Sequence, residues 1–173
     1  PLDNYLFELK HYNIAPLEEY NIVKNNTETK PSGQTFRMAG LVVDAQHRIS
    51  KNGKNFGVLH LEDFSGKAEF MLWGEDYVRY SNYLEKGRIL MVEGSFKQRF
   101  NTDQYEFKFG RMHLLDTVKP SLTKQVIIGT APEYIDANFV AFMEENVKKH
   151  PGNTALKFSI TSPAFDQSLT LST

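Results

Sequence analysis

Five short segments with strand-like alternation occupy residues 35–115, and turns rich in glycine and asparagine separate them. The predicted strands are residues 35–49, 56–61, 68–73, 88–100 and 105–115. The pairs Asn52-Gly53 and Ser65-Gly66 supply the residue types that tight hairpin turns require. Short strands separated by such turns are typical of an all-β domain. This pattern constrains the fold more than any other feature of the chain.

The hydrophobic period changes between the third and fourth predicted strands. In residues 74–87, Tyr77, Tyr80 and Leu84 recur at intervals of three and four, which places them on one face of a short helix that ends at Gly87. The element order is therefore β-β-β-α-β-β, the order of the five-stranded oligonucleotide-binding (OB) barrel, a Greek-key fold. In this fold the ligand crosses strands two and three, between the loops that join strands one to two and four to five.

Two further parts flank the predicted barrel domain, which we delimit as residues 35–117. Residues 1–34 carry apolar residues at helical spacing and then a polar stretch, 24–34, which predicts a short helical arm and a linker. Residues 118–173 contain an apolar strand, a helix capped by Asp136 and another alternating strand, which predicts a partial α/β domain of β-α-β type. The missing initial Met and the strand-like end predict a fragment of a longer protein.

Composition narrows the possible classes of function. The formal net charge is −1, so a nucleic-acid site would have to be a local patch. The sequence has no cysteine, which excludes disulfides and thiolate metal ligands. No apolar run approaches the roughly 20 residues that span a bilayer, and no signal peptide opens the chain, so we expect a soluble cytoplasmic protein without a membrane partner. Aromatic residues make up 13% of the chain, which leaves rings for base stacking.

Candidate binding residues cluster at the two loops that flank the ligand path of such a barrel. Binding of a single strand without sequence preference needs cations at phosphate spacing and flat rings for the bases. Lysines at a hairpin tip are commonly only solvated, but two basic tips beside one groove favour binding. The predicted nucleic-acid site comprises Arg48, Lys51, Lys54, Phe56, His60, Trp73, Lys97, Arg99, Phe100, Tyr105 and Lys108.

Alternation along the second strand predicts which of its side chains face the ligand. Leu59 and Leu61 share one face, because successive side chains of a strand point to opposite sides. If these two leucines fill the barrel, Phe56 and His60 face the groove.

Either of two alternating sets of side chains on the third strand could face outward. Either Phe70 and Leu72 or Met71 and Trp73 point outward. We predict the second arrangement, because the alternative would bury Glu69. Two interpretations of Trp73 stay open, namely stacking on a base and packing under the helix that follows.

Motifs of catalysis are missing from the sequence. There is no glycine-rich phosphate loop with a lysine, no His-Glu-x-x-His and no nucleophile elbow. The five histidines are scattered, and the carboxylates form no Asp-x-Asp cluster that would hold two metal ions. We therefore predict no catalytic residue, no metal site and no cofactor in this chain.

Several segments resemble the C-terminal region of the bacterial DNA polymerase III alpha subunit. In the barrel they are residues 39–43 (AGLVV), 51–54 (KNGK), 61–69 (LEDFSGKAE) and 89–94 (ILMVEG). Residues 1–5 are similar to the segment just upstream of that family's barrel, and residues 150–153 to its C-terminal domain. The resemblance thus covers nearly the whole chain. The motif within residues 61–69 is also similar to strands of the anticodon-binding barrels of aminoacyl-tRNA synthetases.

The resemblance implies a barrel that holds the emerging template of a replicative polymerase as a single strand. The parent chain would be a DNA-directed DNA polymerase with its catalytic domains upstream of this chain. The implied partners are single-stranded DNA, the rest of the polymerase chain, the sliding clamp and the clamp-loader tau subunit, in the bacterial cytoplasm. Two alternatives stay open: a tRNA anticodon-binding domain, and a barrel used mainly for protein docking in the replisome.

Overall fold

The structure, a computed structural model, describes residues 1–26, 33–162 and 167–172. It has two compact units, Pro1–Lys119 and Pro120–Thr173. Most of the stretch predicted as a linker, residues 27–32, lies outside the described residues. The predicted domain boundaries at residues 34 and 117 stay predictions.

The first unit is built on a five-stranded antiparallel sheet. Its strands are β1 (Thr35–Ile49), β2 (Asn55–Glu62), β3 (Lys67–Trp73), β4 (Ile89–Gln98) and β5 (Tyr105–Leu114). The first half of β1 pairs with β4 and its second half with β2, with a bulge between Val42 and Asp44. The sheet order is β3-β2-β1-β4-β5. The predicted OB fold is confirmed.

The predicted N-terminal arm forms two short helices that are part of the barrel unit. A 3-10 turn, Leu2–Tyr5, leads into α1 (Leu6–His11), and α2 (Leu17–Asn25) follows Pro16. Leu17 and Tyr20 of α2 are almost fully buried and belong to the same hydrophobic core as the strands. The barrel core is therefore completed by a helix that precedes it in sequence.

Aromatic rings fill the gap between the two edge strands, β3 and β5. The Tyr20 ring stacks on Phe70 with 4.9 Å between centroids and on Phe96 with 5.5 Å, and Phe107 meets it edge-on at 5.3 Å. Phe70 of β3 and Phe107 of β5 lie 5.7 Å apart. Offset and edge-on contacts of this kind add to the energy of burial. Burial also raises the pKa of the Tyr20 hydroxyl.

The loop between β2 and β3 caps helix α2 from outside. The Leu17 amide donates to Asp63 Oδ2 at 2.9 Å, and the Glu18 amide donates to Ser65 Oγ at 3.1 Å. Asp63 Oδ1 also accepts from the amides of Ser65 and Gly66, at 2.7 and 2.9 Å. The first amides of a helix have no intrahelical acceptor, and Pro16 has no side chain that could supply one. The Asp63–Ser65 turn therefore supplies the missing cap.

We expect Asp63→Ala to lower the free energy of unfolding of the barrel by about 2 kcal/mol, because several amides lose their acceptor at once. Urea denaturation followed by the fluorescence of Trp73, the only tryptophan in the sequence, measures the loss. Glu62→Ala is the matched control, since within the described residues the Glu62 side chain makes only an exposed salt bridge to Lys67 at 3.1 Å, and its loss should cost less than about 1 kcal/mol. Equal losses in the two variants would contradict the cap.

The helix between β3 and β4 is shorter than the sequence predicts. It consists of α3 (Glu75–Tyr80) followed by a 3-10 turn, Ser81–Tyr83. A Cβ placed on Gly57 would lie 2.5 Å from Leu84 Cδ1 and 3.2 Å from the Tyr77 ring, so these side chains pack closely on β2 and would have to shift for a larger residue. The polar side of α3 is left beside the end of β3.

The second unit is a three-stranded sheet with one long helix. Its elements are α4 (Lys119–Leu122), which begins just before the unit, β6 (Gln125–Thr130), α5 (Ala137–Lys149), β7 (Ala155–Ser162) and β8 (Gln167–Ser172). β6 and β7 are parallel, and β8 pairs antiparallel with β7. Asp136 accepts from the Phe139 amide at 2.7 Å, as the predicted cap requires. The β-α-β arrangement is confirmed, with β8 added at one edge.

None of the helices among the described residues combines the length and the apolar character needed to cross a membrane.

Candidate nucleic-acid interface

The outer face of β1, β2 and β3 carries side chains in three cross-strand rows. Residues directly opposite each other in an antiparallel pair share a face. The rows are Arg48–Phe56–Trp73, Gln46–Val58–Met71 and Asp44–His60–Glu69. We call the first the aromatic row and the last the acidic row. The predicted parity of β3 is confirmed, because Met71 and Trp73 are nearly half exposed whereas Phe70 and Leu72 are buried.

Trp73 is the exposed ring of the aromatic row. It stacks on Phe56 with 4.1 Å between centroids and 13° between planes, and 45% of Trp73 remains exposed against 9% of Phe56. One face of the indole therefore packs on the Phe56 ring, and Trp73 in turn shields Phe56 from solvent. Tyr77 of α3 instead approaches His47, with its hydroxyl 2.9 Å from Nδ1. The free face of Trp73 is available for stacking.

The acidic row surrounds His60 with carboxylates. His60 Nε2 lies 3.1 Å from Glu69 Oε2, and Nδ1 lies 3.6 Å from Asp44 Oδ2. Two carboxylates beside one imidazole repel phosphate and compete with it for the ring. Of the predicted site residues, His60 is thus placed least well to meet a nucleic-acid backbone.

Two grooves meet at Trp73, and the larger one runs toward the first hairpin. Its volume is about 1200 Å³, and its lining includes Lys54, Trp73, Asp76, Arg79 and Lys108. These residues come from β3, α3, β5 and the residues just before β2. Three cations thus lie around one exposed ring, a combination that suits a nucleotide chain.

Two carboxylates, Glu75 and Asp76, line this groove as well. Burial raises the pKa of the Asp76 carboxyl, and the nearby Glu106 and Glu75 act in the same direction, while Lys108 and Arg79 oppose the shift by stabilising the charged form. We call the space lined by these residues and Trp73 the Asp76 groove.

The second groove, of about 690 Å³, separates β3 from β5. Its lining includes Lys24, Met71, Trp73, Arg99 and Tyr105. The Lys24 ammonium donates to the Glu69 carbonyl at 3.0 Å, so α2 contributes a cation to this groove. Trp73 is shared with the Asp76 groove, which makes the two grooves a continuous surface around the indole.

Glu106 balances part of the positive charge at the last hairpin. Its carboxylate lies 3.0 Å from Lys108 Nζ and 3.8 Å from Arg99 Nε. In the register of β4 and β5, Lys97 lies opposite the same glutamate. A phosphate that binds here would compete with Glu106, so each of these cations contributes less than an unpaired one would.

Other predicted residues lie at the margins of the two grooves. Phe100, at the tip of the last hairpin, is 90% exposed and lines only a shallow depression formed by its own loop. Lys51 is exposed at the first hairpin tip, and Lys97 is exposed near the end of β4. The Arg48 side chain donates from Nε to Gln46 Oε1 at 2.8 Å. The structure brings together Lys54, Trp73, Arg99, Tyr105 and Lys108.

Sequence alternation does not reveal four charged residues of these grooves, Lys24, Glu75, Asp76 and Arg79. They belong to the helices α2 and α3, whose placement depends on tertiary packing rather than on strand parity. For Asp76 and Arg79 a usable signal is their position directly after Trp73 and their spacing of three on the polar side of a short helix.

Comparisons with known proteins agree with the OB fold of the barrel unit. Residues 36–115 match the family described as OB-fold nucleic acid binding domain. Over 156 residues the chain is 28% identical to the DNA polymerase III subunit alpha of Vibrio cholerae, a match that covers 89% of this chain and 13% of that protein. The chain is thus similar to DNA polymerase III alpha subunits over most of its length. The resemblance predicted from the sequence is thereby confirmed.

Other DNA polymerase III alpha subunits give the same result. The protein of Pasteurella multocida is 25% identical over 154 residues, which is 89% of this chain, and that of Pseudomonas aeruginosa is 23% identical over 162 residues, which is 94%. The chain spans 13% of the length of each of these alpha subunits. A mitochondrial single-stranded DNA binding protein from S. cerevisiae covers 47% of the chain with 14% identity and a TM-score of 0.35, and 95% of that protein is matched.

Proposed function

We propose that the barrel unit binds single-stranded DNA across Trp73 as part of a replicative DNA polymerase of the DNA polymerase III alpha type. The observation that carries this proposal is the half-exposed indole, which packs on Phe56 and lies where two grooves meet, each of them containing lysine and arginine side chains. A ring accepts any base on its face, and cations on both sides of it meet the phosphates that precede and follow that base.

The distribution of charged side chains on the outer face of the barrel restricts where a nucleic-acid strand can cross it. The acidic row lies at one end of the outer face and the aromatic row at the other, next to Lys54. A polyanion is repelled at the first end and attracted at the second. The strand would therefore cross at the aromatic row, between the first and last hairpins.

We expect the triple variant Lys54→Ala, Arg99→Ala, Lys108→Ala to bind single-stranded DNA more weakly and with a smaller salt dependence. Each phosphate contact to a single strand contributes roughly 0.7 to the slope of log K against log salt, so three lost contacts reduce the slope by about 2. Fluorescence polarisation of a labelled oligonucleotide at several salt concentrations measures both quantities.

The matched control removes three positive charges from the second unit, by Lys148→Ala, Lys149→Ala and Lys157→Ala. It should leave affinity and slope nearly unchanged. Similar reductions in both triple variants would show that only total charge matters, and the proposed path would be wrong.

A tRNA anticodon-binding domain is the second candidate, because the family that matches residues 36–115 carries the name tRNA_anti-codon. Such a domain would read the base edges of one anticodon loop. Competition of unlabelled tRNA against labelled single-stranded DNA separates the candidates: displacement by one tRNA species at far lower concentration than by DNA would favour tRNA.

We propose that the parent chain is a DNA-directed DNA polymerase of the bacterial cytoplasm and that the rest of that chain, the sliding clamp and the clamp-loader tau subunit are its partners. The homology to DNA polymerase III alpha subunits supports this proposal.

A further inference from the structure

The Asp76 groove contains a carboxylate that general binding of a polyanion does not explain. Asp76 is half-buried and lines the same groove as Trp73, Lys54 and Lys108. Among the residues that the structure describes, its carboxylate has electrostatic neighbours but no hydrogen-bond donor within bonding distance. The carboxylate weakens the attraction for phosphate, but its two acceptor oxygens can accept hydrogen bonds from a base that enters the groove.

The four nucleobases differ in the hydrogen-bond donors that they present side by side to a carboxylate. Guanine presents N1–H and the N2 amino group next to each other on its Watson–Crick edge. Thymine presents one N–H between two carbonyl acceptors, whereas adenine and cytosine each present an amino group beside a ring nitrogen that accepts. In an unpaired strand this edge is free for contact with protein. Only guanine therefore matches both oxygens of a carboxylate without placing an acceptor against one of them.

We propose that the Asp76 groove selects guanine, whose ring stacks on Trp73 and whose N1–H and N2 amino group donate to the two oxygens of Asp76. This inference rests on the proposed function, because it assigns a base preference to the same single-strand site. Lys54 and Lys108 are placed to contact the phosphates on either side of the selected base.

The electrostatics of the groove favour this role. Burial of Asp76 strengthens hydrogen bonds to it, because fewer water molecules compete for its oxygens. Burial raises the pKa of the Asp76 carboxyl, and Lys108 and Arg79 partly oppose this by stabilising the ionised carboxylate, which is the form that accepts two hydrogen bonds.

The test measures the binding of labelled oligo(dT) of about eight nucleotides, the size of an OB-fold site, with one central nucleotide varied. We expect central deoxyguanosine to bind about tenfold more tightly than thymidine at that position, as one bidentate contact to a base provides. Deoxyinosine lacks the N2 amino group and should lose most of this gain. In Asp76→Asn the guanine and thymine oligonucleotides should bind equally, with the affinity for plain oligo(dT) kept or raised. Asp116→Asn, an exposed aspartate outside the groove, should retain the preference.

Each contrary result has a definite meaning. Equal binding of the guanine and thymine oligonucleotides by the unaltered protein would overturn the inference and leave the proposed function intact. A guanine preference that survives in Asp76→Asn would overturn the role of Asp76. Failure to bind any of the oligonucleotides at low salt would overturn the proposed function and the inference together.

Discussion

Tyr20→Ala is expected to lower the free energy of unfolding of the barrel by about 3–5 kcal/mol, the range for removal of a large buried aromatic side chain. Tyr20 contacts Phe36, Phe70, Phe96 and Phe107, which lie on four different strands, so its loss leaves a cavity that no single strand can fill by moving. A loss of this size is a large share of the stability of a small domain. Urea denaturation followed by Trp73 fluorescence measures it, because the only tryptophan lies in the barrel.

The matched control for this prediction is Tyr20→Phe. It keeps the ring and its stacking partners and removes only the hydroxyl, so the loss should stay below about 1.5 kcal/mol. If Tyr20→Ala also cost less than about 1 kcal/mol, helix α2 would be an appendage and the barrel would be closed without it.

Trp73→Ala is expected to weaken binding of single-stranded DNA by about 5- to 150-fold, since stacking of one base on an aromatic ring contributes about 1–3 kcal/mol. The ring is the common wall of both grooves, and no other exposed aromatic side chain of the described residues lines both of them. Fluorescence polarisation of labelled oligo(dT) at low salt measures the change.

Two control variants separate stacking from other effects of this substitution. Trp73→Phe keeps a ring, so its affinity for single-stranded DNA should lie between those of the unaltered protein and Trp73→Ala. Phe64→Ala removes an exposed ring from the β2–β3 loop, outside both grooves, and should bind normally. Unchanged affinity in Trp73→Ala, or an equal loss in Phe64→Ala, would contradict the role of Trp73 as the ring on which a base stacks.

Local pattern was sufficient to predict the barrel. Hairpin pairs such as Asn52-Gly53 and the change of period around Tyr77 are local signals, and they predict the element order that the structure has. The outward parity of Trp73 was also predictable, because strand side chains alternate and Glu69 fixes which face meets water.

Tertiary packing produced the features that the sequence pattern does not reveal. Tyr20 reaches the barrel core from a helix that is separated from β1 by a polar stretch, and Asp63 caps that helix from a distant loop. Phe56 has the predicted parity but lies under Trp73, because the register of β2 and β3 places the two rings directly opposite each other. Contacts between elements far apart in sequence have no local periodicity from which they could be inferred.

Tertiary packing also determines which charged residues around the site form ion pairs, and the sequence pattern does not reveal these pairs. The last hairpin contains the predicted cations, but Glu106 pairs with Lys108 and approaches Arg99 across the strand. Composition shows that acids and bases are both abundant, and only the register shows which of them meet. The acidic row around His60 is a second example, since Asp44 and Glu69 come from two different strands.

The most direct test of the central claim, that Trp73 is the surface on which an unpaired strand stacks, is the tryptophan fluorescence of the unaltered protein during titration with oligo(dT) at low salt. Because the chain has one tryptophan, any base-induced change reports on this ring alone. We expect saturable quenching that is reversed by added salt and that gives the same affinity as polarisation. Binding seen by polarisation without any change in Trp73 fluorescence would contradict the claim, because the strand would then lie elsewhere on the protein.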